Sequence, residues 1–106
     1  MKVVIKEQAE DLVIELSGRE ASAESVEEFR RILDEGIARP GGGRVILNLT
    51  SLNYLGREGV YAIALAHKQL NACGRLLILR HPTEAVERVL KVTRLSQFLK
   101  IENDDS

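Results

Sequence analysis

Val45-Ile46-Leu47-Asn48-Leu49 is a nearly continuous apolar run. Such a run suits a strand covered on both faces or paired centrally in a sheet. Thr50–Leu55 leads from it into Gly56-Arg57-Glu58-Gly59. A helix follows from about Arg57 to Ala72, with Val60, Ile63, Ala64, His67 and Leu70 on or near one face. Gly74 stands where a helix C-terminal glycine belongs. Leu76-Leu77-Ile78-Leu79 is a second buried strand, stopped by His81-Pro82. A helix between two such strands implies a parallel pair joined by a crossover.

The pattern extends in both directions. Downstream, Pro82 or Thr83 opens a helix with Val86, Val89 and Leu90 inward. Leu95–Phe98 forms a last turn, and Leu99-Lys100-Ile101 is either a short edge strand or part of a helix. Upstream, Pro40-Gly41-Gly42-Gly43 ends a helix in which Val26, Phe29, Ile32 (or Leu33) and Ile37 recur at helical spacing. Ser22 and Ser25 are its candidate N-caps, and Ser25-Val26-Glu27-Glu28 has the capping-box form. Before that helix, Val3-Val4-Ile5 and Leu12-Val13-Ile14-Glu15-Leu16 flank the polar break Gln8–Asp11. The second run is closed by Ser17-Gly18, and together they predict an antiparallel hairpin. The order is β-β-α-β-α-β-α with one undecided element, an α/β domain with a mixed sheet.

The 106 residues fit one domain. The single cysteine, Cys73, excludes an internal disulfide framework and a multi-cysteine metal cage. Apolar runs are short and interrupted, and charge interrupts the N-terminus before a signal core forms, so a cytoplasmic, reduced domain is expected. The net charge of −1 gives no general argument for nucleic acid or acidic membranes. Its distribution is uneven, however: residues 1–55 carry net −3 and residues 56–100 net +5. A basic second half can meet an acidic partner surface. Only 4% of residues are aromatic, too few to stack on single-stranded bases.

Motifs for chemistry are sparse. Gly41-Gly42-Gly43 lies after a helix and before a strand, the wrong order for a phosphate loop. Gly56-x-x-Gly59 is correctly placed at a helix start, where free N–H groups favour an anion, yet Glu58 would occupy that positive end with its own charge. His67 reads as a packed or half-exposed histidine and His81 as a strand terminator. Cys73 reads as a small buried hydrophobe rather than a nucleophile. No catalytic set, cofactor site or metal spacing emerges.

From Val45 to Leu99 the chain resembles a STAS domain, the fold of bacterial anti-sigma factor antagonists. The resemblance rests on Val45–Leu49, Leu52-Asn53-Tyr54-Leu55, Gly59-Val60, His67-Lys68-Gln69, Gly74–Leu79 and the Pro82, Val86, Val89, Leu90, Thr93, Leu95 series. The hairpin with Leu16-Ser17-Gly18 matches the start of the family. It implies one STAS-like domain over residues 1–102, a sheet of four or five strands with packed helices, and a frayed tail at 103–106. It also implies a non-enzymatic protein–protein interaction domain without cofactor. The implied partner is a kinase-type anti-sigma factor or another signalling protein, with a second copy of the chain as a further candidate; nucleic acid and direct membrane insertion are not expected. The contact surface would be Gly56, Arg57, Glu58, Gly59, Val60 and Tyr61. The alternative is a structural or accessory subunit of a larger signalling or transport assembly.

Two family stretches are absent. Antagonist-type members usually read Asp-Ser-Ser-Gly in this loop, and the second serine accepts phosphate from the anti-sigma factor kinase. Here the four positions are Gly56-Arg57-Glu58-Gly59, so Glu58 stands at the phosphoacceptor place. The usual Gly-x-Leu-Asp after the second strand reads Gly18-Arg19-Glu20-Ala21.

Overall fold

The structure, a computed structural model, describes residues 2–8, 10–19, 23–38 and 43–102, without the side chains of residues 8, 19 and 23–26. Five strands lie in sequence order: β1 (Lys2–Gln8), β2 (Asp11–Arg19), β3 (Val45–Tyr54), β4 (Leu77–Arg80) and β5 (Lys100–Glu102). β1 pairs antiparallel with β2, and every later pair is parallel. Each parallel step carries a helix: α1 (Ala23–Ala38), α2 (Arg57–Ala72) and α3 (Glu84–Val92). The chain crosses the sheet in one direction throughout, so crossovers of the usual right hand put all three helices on one face. The buried cluster agrees. It joins Phe29 and Leu33 of α1, Ile63 and Leu70 of α2, and Val86 and Leu90 of α3 to Ile14, Leu47 and Leu79 of the sheet.

The central run Val45–Leu49 therefore lies mid-sheet, but helices cover only one of its faces. On the other, Val13, Ile46 and Ile78 form a separate buried cluster with no helical member. Register places them in one row across the sheet, with Lys6 and Lys100 at its ends. Ion pairs flank the row: Asp11–Arg44 (2.8 Å), Lys6–Glu15 (3.3 Å) and Arg80–Glu102 (3.5 Å). Long side chains of this kind can lay their aliphatic stems along an apolar stripe while their charged heads stay in water.

The hairpin break is tighter than the sequence suggests, because Gln8 and Asp11 already pair. Asp11 is held by Arg44, whose backbone N–H (3.0 Å), Nε (3.4 Å) and Nη2 (2.8 Å) all donate to its carboxylate. The Arg44 side-chain hydrogen bonds, then its backbone N–H, hold the Asp11 carboxyl below its ordinary value. A carboxyl depressed in the folded state adds stability above its unfolded pKa, and that contribution is lost as pH falls through the folded value. NMR titration should place the Asp11 midpoint below the ordinary value of about 3.9, and Arg44→Ala should move it upward. A wild-type midpoint at the ordinary value would show the pair to be open in solution.

β3 runs five residues beyond the apolar run, because two irregularities restore its inward pattern. Between Glu15 and Ser17 the register moves from Asn48 to Ser51, and between Gly18 and Arg19 from Leu52 to Tyr54. Each inserts one extra residue in β3, which switches the face that follows. Leu52 and Leu55 are thereby buried although strict alternation from Leu49 would not bury both. Asn48 secures the first irregularity by accepting from the Thr50 N–H (3.1 Å) and hydroxyl (2.7 Å).

The buried face of α2 is rotated from the one expected. Gly59, Ala62, Ile63, Ala66 and Leu70 are inside, while Ala64 and His67 are half-buried. Small residues at the contact let the helix approach its neighbours closely. Gly74, at φ +73°, ends α2: its N–H reaches the Asn71 carbonyl (3.1 Å) and that of Arg75 reaches Leu70 (2.9 Å), a Schellman closure. Cys73 is exposed at this C-cap, which corrects its reading as buried: the helix stops on its outer side. Leu76 likewise stays outside β4, half-exposed. Thr83 caps α3, accepting from the Val86 N–H (3.4 Å) and donating to the Leu52 carbonyl (2.8 Å). Val86 and Leu90 of that helix are buried, and Val89 half-buried. A 3₁₀ turn (Leu95–Gln97) leads to Leu99, which is buried, and to β5, so the last element is an edge strand. Ser22, Pro40, Gly41 and the 103–106 tail lie outside the described residues, as do the side chains of Ser25 and Val26.

Candidate functional site

The end of β3 and the start of α2 present one continuous exposed segment. Tyr54 closes the strand with 46% of its surface exposed, and Leu55 then turns inward and anchors the loop. Gly56 occupies the N-cap in an extended conformation and has no side chain to cap the helix; its carbonyl accepts the first helical bond from the Val60 N–H (3.0 Å). Arg57 and Glu58 are exposed, Gly59 is buried, and Val60 packs against the core from a half-buried position. Tyr61 is 62% exposed on the next outward position. The six consecutive residues singled out from sequence lie on one strand-to-helix segment, in two layers. Gly59 and Val60 hold the helix start down, whereas Arg57, Glu58 and Tyr61 face outward.

The electrostatics are simple. Glu58 is the acid of the first turn, where the positive helix end favours it by about 0.3–1 kcal/mol. The Arg57 side chain makes no hydrogen bond or ion pair with the described residues, so its charge is available to a partner. The other reactive side chains are elsewhere. Cys73 lies at the opposite end of α2, His67 is half-buried within it, and His81 ends β4 at φ +54°. Among the described residues, no three His, Cys, Asp or Glu side chains gather around a point that could hold a metal ion. Nor is any described helix long and apolar enough to cross a membrane. The segment exposes two aromatic rings, a cation and an anion, side-chain types that protein interfaces use.

Tyr54 was not among the residues that sequence pointed to. Its exposure follows from the second irregularity of β3, and only the interruption of alternation after Leu49 hints at it.

The comparisons with known proteins follow the same architecture. A relative in Thermotoga neapolitana, a candidate anti-sigma factor antagonist homologous to TM1081, is 27% identical over 92 residues, covering 87% of this chain and 81% of that protein. The crystal structure of TM1081 from Thermotoga maritima superposes with a TM-score of 0.82 at 22% identity, over 96% of this chain and 86% of the other. The anti-sigma factor antagonist SpoIIAA, in its unphosphorylated form, superposes with a TM-score of 0.81 at 22% identity, over 98% and 90% of the two chains. The STAS domain model matches residues 2–105, and the chain belongs to the STAS domain family.

Proposed function

We propose that this chain is an anti-sigma factor antagonist-like docking module that meets a kinase-type anti-sigma factor through Gly56–Gly59, Val60 and Tyr61. The observation that carries the reading is the outward display of Arg57, Glu58 and Tyr61 on a segment anchored by the buried Leu55 and Gly59. Family membership supports it, as do the relatives named as antagonists. Antagonist-type members are typically non-enzymatic, and binding alone suffices for this role. Tyr61 would supply contact area, while Arg57 and Glu58 would set charge complementarity.

Glu58 gives the proposal its particular form. It has no hydroxyl to phosphorylate and brings a permanent negative charge to the place where antagonist-type members carry the acceptor serine. Phosphoserine carries about −1.5 to −2 charges and three acceptor oxygens, so one carboxylate imitates it in part. In this reading the chain is held in the state that disfavours the kinase partner.

Calorimetric titration against a kinase-type anti-sigma factor of the source cell tests this. Wild type should bind weakly. Glu58→Ser, or the triple change with Gly56→Asp and Arg57→Ser, should bind about tenfold tighter or more, a gain of roughly 1.4 kcal/mol. The triple variant should also accept phosphate from ATP. Tight wild-type binding that Glu58→Ser weakens would make the carboxylate a direct contact and end the imitation hypothesis.

A further inference from the structure

Among the described residues the sheet has two edges, β1 and β5. β5 has only three residues, a short edge that offers little to another strand. β1 has seven, contains no proline and pairs with β2 without a register shift. No described strand lies on its outer side, and an uninterrupted edge of this kind is a template for pairing with another chain. Val4 (38% exposed) and Ile5 (45%) are carried on its two faces.

Ile5 ends a row that is otherwise interior. The register runs from Ile5 to Ile14, Leu47, Leu79 and Ile101 across all the strands. Ile14, Leu47 and Leu79 are fully buried in the large core, and Ile101 packs against it. Ile5 alone in this row is exposed.

We infer that β1 is a self-association edge, on which two copies of the chain pair their β1 strands antiparallel about a two-fold axis at Ile5. Charge selects that register. A two-fold axis perpendicular to the sheet keeps every side chain on its own face, so opposed residues share parity. Centred on Val4, the pairing sets Lys2 against Lys6 of the other copy. Centred on Lys6, it sets two lysines against each other on the axis. Like charges directly opposite are destabilising. Centred on Ile5, the whole strand pairs: Lys2 with Gln8, Val3 with Glu7, Val4 with Lys6, and Ile5 with its own copy. No like charges then stand opposite. The same register joins the two interior rows end to end through Ile5. That self-match favours a second copy over a foreign strand, because an isologous contact presents the same residue from both sides. Lysines on an edge discourage pairing, but Glu15 already holds Lys6 at 3.3 Å. The contact does not include Gly56–Tyr61, so the inference is independent of the role proposed for Glu58.

Sedimentation equilibrium of the full chain tests this. One strand pair is a small interface, so wild type should dimerise reversibly, with a dissociation constant on the order of 10 µM. Ile5→Lys and Ile5→Glu each put like charges on the axis and remove the apolar contact, and each alone should raise that constant about tenfold or more. An equimolar mixture of the two variants should associate again, because the axis then carries opposite charges. Circular dichroism should show both variants folded, since Ile5 is exposed in the single chain. Wild type offers a measurement that needs no variant: exchange of the β1 amides should slow as concentration rises through the dissociation constant. Glu58→Ser should leave that constant unchanged. The proposal is overturned by a wild type that stays monomeric at millimolar concentration, or by β1 exchange that ignores concentration. It is also overturned by dimerisation that Ile5→Lys leaves intact, or by a variant mixture that does not associate. Monomeric wild type whose binding to an anti-sigma factor falls with Ile5→Lys would assign the edge to a partner's strand instead.

Discussion

Arg75→Met is expected to lower the unfolding free energy by about 2–4 kcal/mol, since hydrogen bonds from a charged donor contribute roughly 1.5–3 kcal/mol each and these are only partly buried. Arg75 lies in the loop between α2 and β4, yet it serves another helix. Its Nη1 donates to the carbonyls of Ile37 (2.9 Å) and Gly36 (3.3 Å), and its Nε donates to Gly43 (3.0 Å). The last turn of α1 has no basic residue of its own. Arg75 therefore supplies both the donors for its unpaired carbonyls and the positive charge that a helix C-terminus favours. Methionine keeps the stem but strands those carbonyls. Arg75→Lys should recover only part of the loss, because an ammonium lacks the planar fork that reaches both directions. Urea denaturation of the three proteins measures the effect. A Met variant within about 0.5 kcal/mol of wild type, the range of an ordinary surface change, would show that the clamp is not closed in solution.

Phe29→Ala is expected to cost about 3–5 kcal/mol, the usual range for emptying a buried aromatic site. Phe29 is fully buried and belongs to the large core cluster that joins α1 to the sheet. A domain of this size has about 5–15 kcal/mol in total, so the variant should unfold at much lower urea and approach partial unfolding on warming. Phe29→Leu retains most of the volume and should cost less than Phe29→Ala. Phe98→Ala provides the contrast. At 67% exposure it should stay within about 0.5 kcal/mol of wild type. Equal losses at the two positions would contradict the burial that separates them.

These variants mark the boundary between local and tertiary information. Local sequence determined that strands and helices alternate, that α2 spans Arg57–Ala72, that Gly74 closes it, and that Val86 and Leu90 point inward. Each depends on propensity, capping or short-range apolar period, which act within a few residues. The Gly56–Tyr61 segment was legible for the same reason, as a strand-to-helix loop with an acid in its first turn. Even the absence of a hydroxyl at position 58 is a fact of sequence.

Other features depend on residues distant in the chain. β3 continues to Tyr54 because pairing with β2 tolerates two extra residues, which a period-two reading takes as the end of the strand. The rotation of α2 onto Gly59, Ala62 and Ala66 follows from close packing with α1 and the sheet, where size outweighs hydrophobicity. Leu99-Lys100-Ile101 is too short to declare itself; pairing with β4 makes a strand of its end, from Lys100 on. The roles of Arg75 and Arg44 are invisible locally, since their acceptors lie more than thirty residues away. The two phenylalanines are alike as residues, and packing buries one while leaving the other in solvent. What the sequence by itself determined was therefore the set of elements and the chemistry of the exposed loop. Only the tertiary structure decided which faces are buried, which charges find partners and which apolar side chains are left for others, because burial and pairing depend on neighbours that chain order does not reveal.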